Sequence, residues 1–84
     1  MEIPTRVTDL HPDDLIDIPE RFTAGTDNEI IARYEYARLE CLNGGWADAA
    51  AGSDEVVLYV PNWVAPVILP ADAEVTLIAE GRRG

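Results

Sequence analysis

Lysine is absent from this 84-residue chain, and cysteine, histidine and serine occur once each. Each scarcity removes a class of chemistry. A single cysteine, Cys41, excludes an intramolecular disulfide and a thiolate metal cluster built within one chain, and it suits a reducing compartment. A nucleophilic thiol needs a neighbouring base or a positive field. Cys41 sits in an apolar segment of an acidic chain, so a packed cysteine is the expectation. Ser53 lies beside Asp54 and Glu55, without the glycines of a strand-turn-helix nucleophile elbow. Long apolar runs are also missing. The longest spans about five residues, against the ~20 that cross a bilayer, and no basic segment followed by an apolar one opens the chain. A cytoplasmic location away from membranes is therefore expected.

The charge is strongly one-sided. Sixteen acidic residues face six arginines, for a formal net charge of −10. Such a field repels nucleic acid and anionic lipid alike, which argues against direct DNA or RNA binding and in favour of a protein partner or self-association. Composition is uniform along the chain, so residues 1–84 read as one small acidic domain. At this length hydrophobic burial and chain entropy nearly cancel, and a partner that covers more apolar surface would add stability.

Six prolines partition the sequence, and residues 20–60 are the longest stretch free of them. Val7 and Leu10 precede a turn at His11-Pro12-Asp13-Asp14, and Leu15-Ile16-Asp17-Ile18 follows as a short strand stopped by Pro19. Residues 20–28 are polar around Gly25 and read as a loop. Residues 55–60 form the clearest strand, β-branched and apolar on both faces, closed by Pro61-Asn62. Val67-Ile68-Leu69 between Pro66 and Pro70 suits a short or edge strand. After a tight turn at Ala71-Asp72-Ala73, Val75, Leu77 and Ala79 alternate with polar neighbours in a half-buried strand. The tail 81–84 is expected to fray.

Residues 29–42 carry two patterns. Apolar positions 30, 31, 34, 37, 41 and 42 follow helical spacing, with Thr26-x-x-Glu29 as a capping box and Asn43-Gly44-Gly45 as the stop. The same stretch alternates as a bent or bulged strand, with Ala32, Tyr34 and Tyr36 and then Ala37, Leu39 and Cys41 separated by charged residues. The helical option gives an α+β fold, with one helix over about residues 27–42 packed on a small antiparallel sheet.

Taken in order, the elements resemble a group of small acidic proteins of actinobacteria and their tailed phages. The opening is Val7-Thr8-Asp9-Leu10-His11-Pro12-Asp13-Asp14-Leu15-Ile16-Asp17, the second strand Tyr34-Glu35-Tyr36-Ala37-Arg38-Leu39, and the third Val56-Val57-Leu58-Tyr59. The close is Ile68-Leu69-Pro70-Ala71-Asp72-Ala73-Glu74-Val75. Asp13 departs from the pattern by standing where a turn glycine is expected. The lack of lysine, with many Ala, Asp, Gly, Arg and Val residues, matches the codon bias of a GC-rich genome. The resemblance implies a mainly β fold, a small SH3-like β-barrel of about five short strands with a single-turn helix before the last. It also implies a role as an interaction module, and it favours strand over helix for residues 29–42.

Among groups that carry chemistry, His11 has Asp9, Asp13, Asp14 and Asp17 nearby, but this run lacks the glycine and alternate spacing of a calcium loop. Asn43-Gly44-Gly45 has neither the lysine nor the hydroxyl that completes a phosphate cradle, and reads as a turn. No catalytic, cofactor-binding or metal-binding set is expected. Trp46 and Trp63 fall at turns, and aromatic residues are enriched at binding hot spots. Trp63, on the Pro61-Asn62-Trp63 turn, is the leading candidate contact residue, with Trp46 and Tyr36 beside it. The expected function is a non-enzymatic protein-interaction module. The alternative is an acidic DNA mimic that inhibits a nucleic-acid-binding protein.

Overall fold

The computed structural model describes residues 2–81, so most of the tail expected to fray lies outside the described residues. Seven short strands carry the fold: β1 (Ile3–Arg6), β2 (Leu15–Asp17), β3 (Ala37–Arg38), β4 (Cys41–Leu42), β5 (Glu55–Tyr59), β6 (Val67–Pro70) and β7 (Glu74–Ala79). They form two antiparallel sheets, one ordered β1-β7-β2-β3 and the other β4-β5-β6. Helical structure among the described residues is limited to single 3₁₀ turns at Val7–Asp9, Glu20–Phe22, Ile31–Arg33 and Asp48–Ala50.

The fold is mainly β, as the sequence leads one to expect, but its sheets do not close into a barrel. One extended strip, residues 37–42, takes part in both. Its first half lies against β2, with Ile16 opposite Ala37, and its second half lies against β5, with Leu42 opposite Leu58. Between the halves the Leu39 amide donates to the Asp14 carbonyl (2.8 Å), and the next amide, Glu40, donates to the Tyr59 carbonyl (2.7 Å). This is the second half of the bent strand anticipated for residues 29–42. Ala37 and Leu39 are buried while Arg38 and Glu40 are exposed. Val7, Ile16, Leu39, Leu58, Leu69, Val75 and Leu77 pack into one core between the sheets. Each such side chain contributes roughly 1.5–3 kcal/mol on burial.

Residues 29–36 adopt neither anticipated form. They run through consecutive tight turns, with Glu29 N–H donating to the Thr26 carbonyl, Ala32 to Asn28, and both Tyr34 and Glu35 to Ile31. Ile30 and Tyr34, two of the six positions in the supposed helical stripe, are exposed. The capping box does not close either, since Thr26 Oγ1 accepts from the Asn28 amide and Glu29 pairs with Arg33 at 3.8 Å. A helix fails here because the chain must already be extended at Ala37 to enter both sheets.

Three further differences have local causes. β1 escapes a pattern-based reading because Pro4 interrupts it and most of it faces solvent. As an edge strand paired only with β7, it tolerates the missing amide. The link between β6 and β7 is the tight turn at Ala71–Ala73, closed by Ala73 N–H to the Pro70 carbonyl (3.0 Å), where the resemblance implies a single-turn helix. Asp13 takes φ +70°, the left-handed conformation that a turn glycine would adopt and that Asp tolerates better than most residues.

Candidate interaction surface

Trp46 is 81% exposed and Val64 is 67% exposed. Scattered apolar residues are normal on a protein surface. These two sit on loops fastened to the rest of the fold by side-chain hydrogen bonds.

The first loop, residues 43–48, leaves β4 through two left-handed residues, Asn43 (φ +55°) and Gly44 (φ +91°). Asn43 is tied to β5 twice: its amide donates to the Val57 carbonyl (2.9 Å), and its Oδ1 accepts from the Val57 amide (3.0 Å). Tyr59, buried on β5, reaches up beneath the loop. Its hydroxyl accepts from the Ala47 amide (3.1 Å) and donates to Asp48 Oδ1, while Asp48 Oδ2 accepts from the Gly44 amide. A Cβ on Gly45 would sit 2.5 Å from the Tyr59 ring, so this position requires glycine. The Tyr59 hydrogen bond, followed by that from Gly44, holds the Asp48 carboxyl below its ordinary range. Burial, followed by the bond to Asp48, pushes the Tyr59 phenol up. Both shifts favour one state, an ionised carboxylate accepting from a neutral phenol.

The second loop, residues 61–66, is held at both ends by asparagines. Asn28 is 2% exposed, and its Oδ1 accepts from the amides of Val64 (2.9 Å) and Ala65 (3.0 Å) while its Nδ2 donates to the Ala65 carbonyl (2.8 Å). Asn62 Nδ2 donates to the Tyr36 carbonyl (3.1 Å), and Asn62 Oδ1 accepts from the Arg38 amide (3.2 Å). Trp63 points into the core and Val64 points out.

The loops meet at a shallow cleft of about 220 Å³, lined by Trp46, Trp63, Val64, Pro61, Pro66 and Glu40 among others. Only 8% of Trp63, the leading candidate contact residue, is exposed: its indole forms part of the cleft wall, packed into the core. Its Nε1 is the one buried side-chain polar atom among the described residues without a hydrogen-bond partner. Trp46 is the projecting aromatic. Tyr36 is partly exposed and lines a neighbouring cleft with Asp17, Arg33, Tyr34 and Glu35. Val64 and Glu40 were not singled out by sequence. The one available signal for Val64 was its place beside Trp63 on a proline-bounded turn.

The other candidate groups have structural roles in this fold. Asp14 is fully buried and its carboxylate accepts from the amides of His11 (2.9 Å) and Gly81 (2.7 Å), which joins the early turn to the chain just beyond β7. Cys41 is half-buried, packs beside Ala47, Val57 and Tyr59, and lies 3.5 Å from the Asn43 carbonyl oxygen. No helix among the described residues is long and apolar enough to cross a membrane. Comparison with protein-family models, with characterised proteins and with solved structures finds no match for the chain.

Proposed function

We propose that this chain is a non-enzymatic protein-interaction module that docks its partner on the cleft around Trp46 and Val64. The observation that carries the reading is the fastening of Trp46. A large indole is held out in water on a loop fixed by Asn43, Gly45, Asp48 and Tyr59, although burying that side chain would have stabilised so small a fold. A loop fixed before binding loses little entropy on binding, and an exposed aromatic beside an apolar residue is the usual make-up of a binding hot spot. The resemblance to small actinobacterial and phage proteins supports the same role.

The test compares capture of partners by the wild-type chain and by Trp46→Ala, with circular dichroism to establish that both are folded. The reading expects at least one partner retained by the wild type and reduced at least about tenfold by the substitution, since hot-spot truncations cost on the order of 2 kcal/mol or more. A partner held equally by both proteins and released by moderate salt contradicts it. That result would favour the acidic DNA mimic, whose grip depends on carboxylates and not on one indole.

A further inference from the structure

We infer that the occupant of this cleft is a basic segment of a partner protein that lays an arginine across the Trp46 indole, with its guanidinium on Glu40 and an adjacent apolar side chain against Val64. The inference rests on the reading of the Trp46 face as a docking surface and adds the chemistry of the partner. Glu40 and Trp46 line the same cleft, and both are exposed. Among the described residues Glu40 has no ion pair, the sole one being Arg33 with Glu29.

Among the described residues, the chain's own cations do not serve this site. Arg21 stacks on Phe22, its guanidinium carbon 4.4 Å from the ring centroid; Arg33 pairs with Glu29, and Arg38 Nη1 donates to the Asp13 carbonyl (3.0 Å). No described arginine lines the cleft. An open indole face beside an unpaired carboxylate is complementary to a planar cation, which stacks on one and donates to the other. The net charge of −10 draws a basic segment in and opposes a second copy of this chain. Size points away from a free metabolite. At about 220 Å³ the cleft falls below the ~300–1,000 Å³ of small-molecule sites and suits one or two side chains of a larger partner.

The experiment selects a random peptide display library in parallel on the immobilised wild-type chain and on Trp46→Ala. Peptides that depend on Trp46 are then measured against Glu40→Gln. The expected consensus has arginine at a fixed position beside an apolar residue. Changing that arginine to alanine, or Glu40 to Gln, should each weaken binding about tenfold. Trp46-dependent peptides without a basic residue, or binding unmoved by Glu40→Gln, would overturn the partner chemistry and leave the docking face standing. If no peptide distinguishes wild type from Trp46→Ala while both remain folded, the docking face itself is overturned, and the inference with it.

Discussion

Asn28 shows how much of this fold depends on single polar side chains. It is almost fully buried and satisfies two amides and one carbonyl of the 61–66 loop, groups that would otherwise be stranded beneath Val64. Asn28→Ala removes all three bonds at once. Each net hydrogen bond contributes about 1 kcal/mol and stranded partners add to the loss, so urea denaturation should show a destabilisation of roughly 3 kcal/mol. Asn28→Asp keeps an acceptor for both amides and loses the donor to Ala65, so it should fall between wild type and Asn28→Ala. None of this is legible in the sequence. Asn28 sits among polar loop residues, and its partners lie 36 and 37 positions away, beyond any local pattern. Asp14 was hidden for the same reason, because one of its partners is the amide of Gly81.

At the scale of elements, the loop that carries Trp46 makes opposite demands on two adjacent glycines. Gly45 lies against the Tyr59 ring, and a methyl there would force the ring or the loop to move. Gly44 has open space around its Cβ position but a left-handed φ of +91°. Gly45→Ala should therefore cost about 2 kcal/mol through overpacking, and Gly44→Ala about 1 kcal/mol through backbone strain, as read by denaturant midpoints. Only the Gly45 change should disturb the Tyr59–Asp48 bond.

The pH dependence of that bond has a definite sign. The folded Asp48 pKa lies below its ordinary 3.8, so its contribution is complete above that value and disappears as pH falls through the lower folded pKa. The folded Tyr59 pKa lies above 10.0, so its contribution is complete below that value and disappears as pH rises through the higher folded pKa. The stability difference between wild type and Tyr59→Phe should be constant from about pH 5 to about pH 9, shrinking on either side. A difference that varies across neutral pH would contradict the assigned bond.

The strands differ in how far they could be read. β5 declared itself through β-branched residues on both faces, and β7 through alternation, because each pattern reports its own burial directly. β1 did not, since an exposed edge strand containing Pro4 has neither feature. Residues 29–36 fitted two periods because the apolar side chains at 30 and 34 pack into no shared face.

For the whole molecule, the sequence exposes the mainly β class and the acidic surface, and Trp46 among the candidate contacts. It does not show which tryptophan projects. Both lie at turns, and the choice is made by Tyr59 and Asn28, which hold the loops from other parts of the fold, and by Asn43 and Asn62, which anchor them from within. Because Trp46 contributes little to the core, Trp46→Ala should change global stability by no more than about 0.5 kcal/mol while removing partner binding. A large loss of stability would place the indole in the packed interior instead.

The central claim is that the two loops are preformed and hold the docking face in place without a partner. Backbone ¹⁵N order parameters for the non-proline residues of 43–48 and 61–66, measured on the isolated chain, test this most directly. The account predicts values near 0.85, matching β5 and β7, while values below about 0.6 in either loop would contradict it.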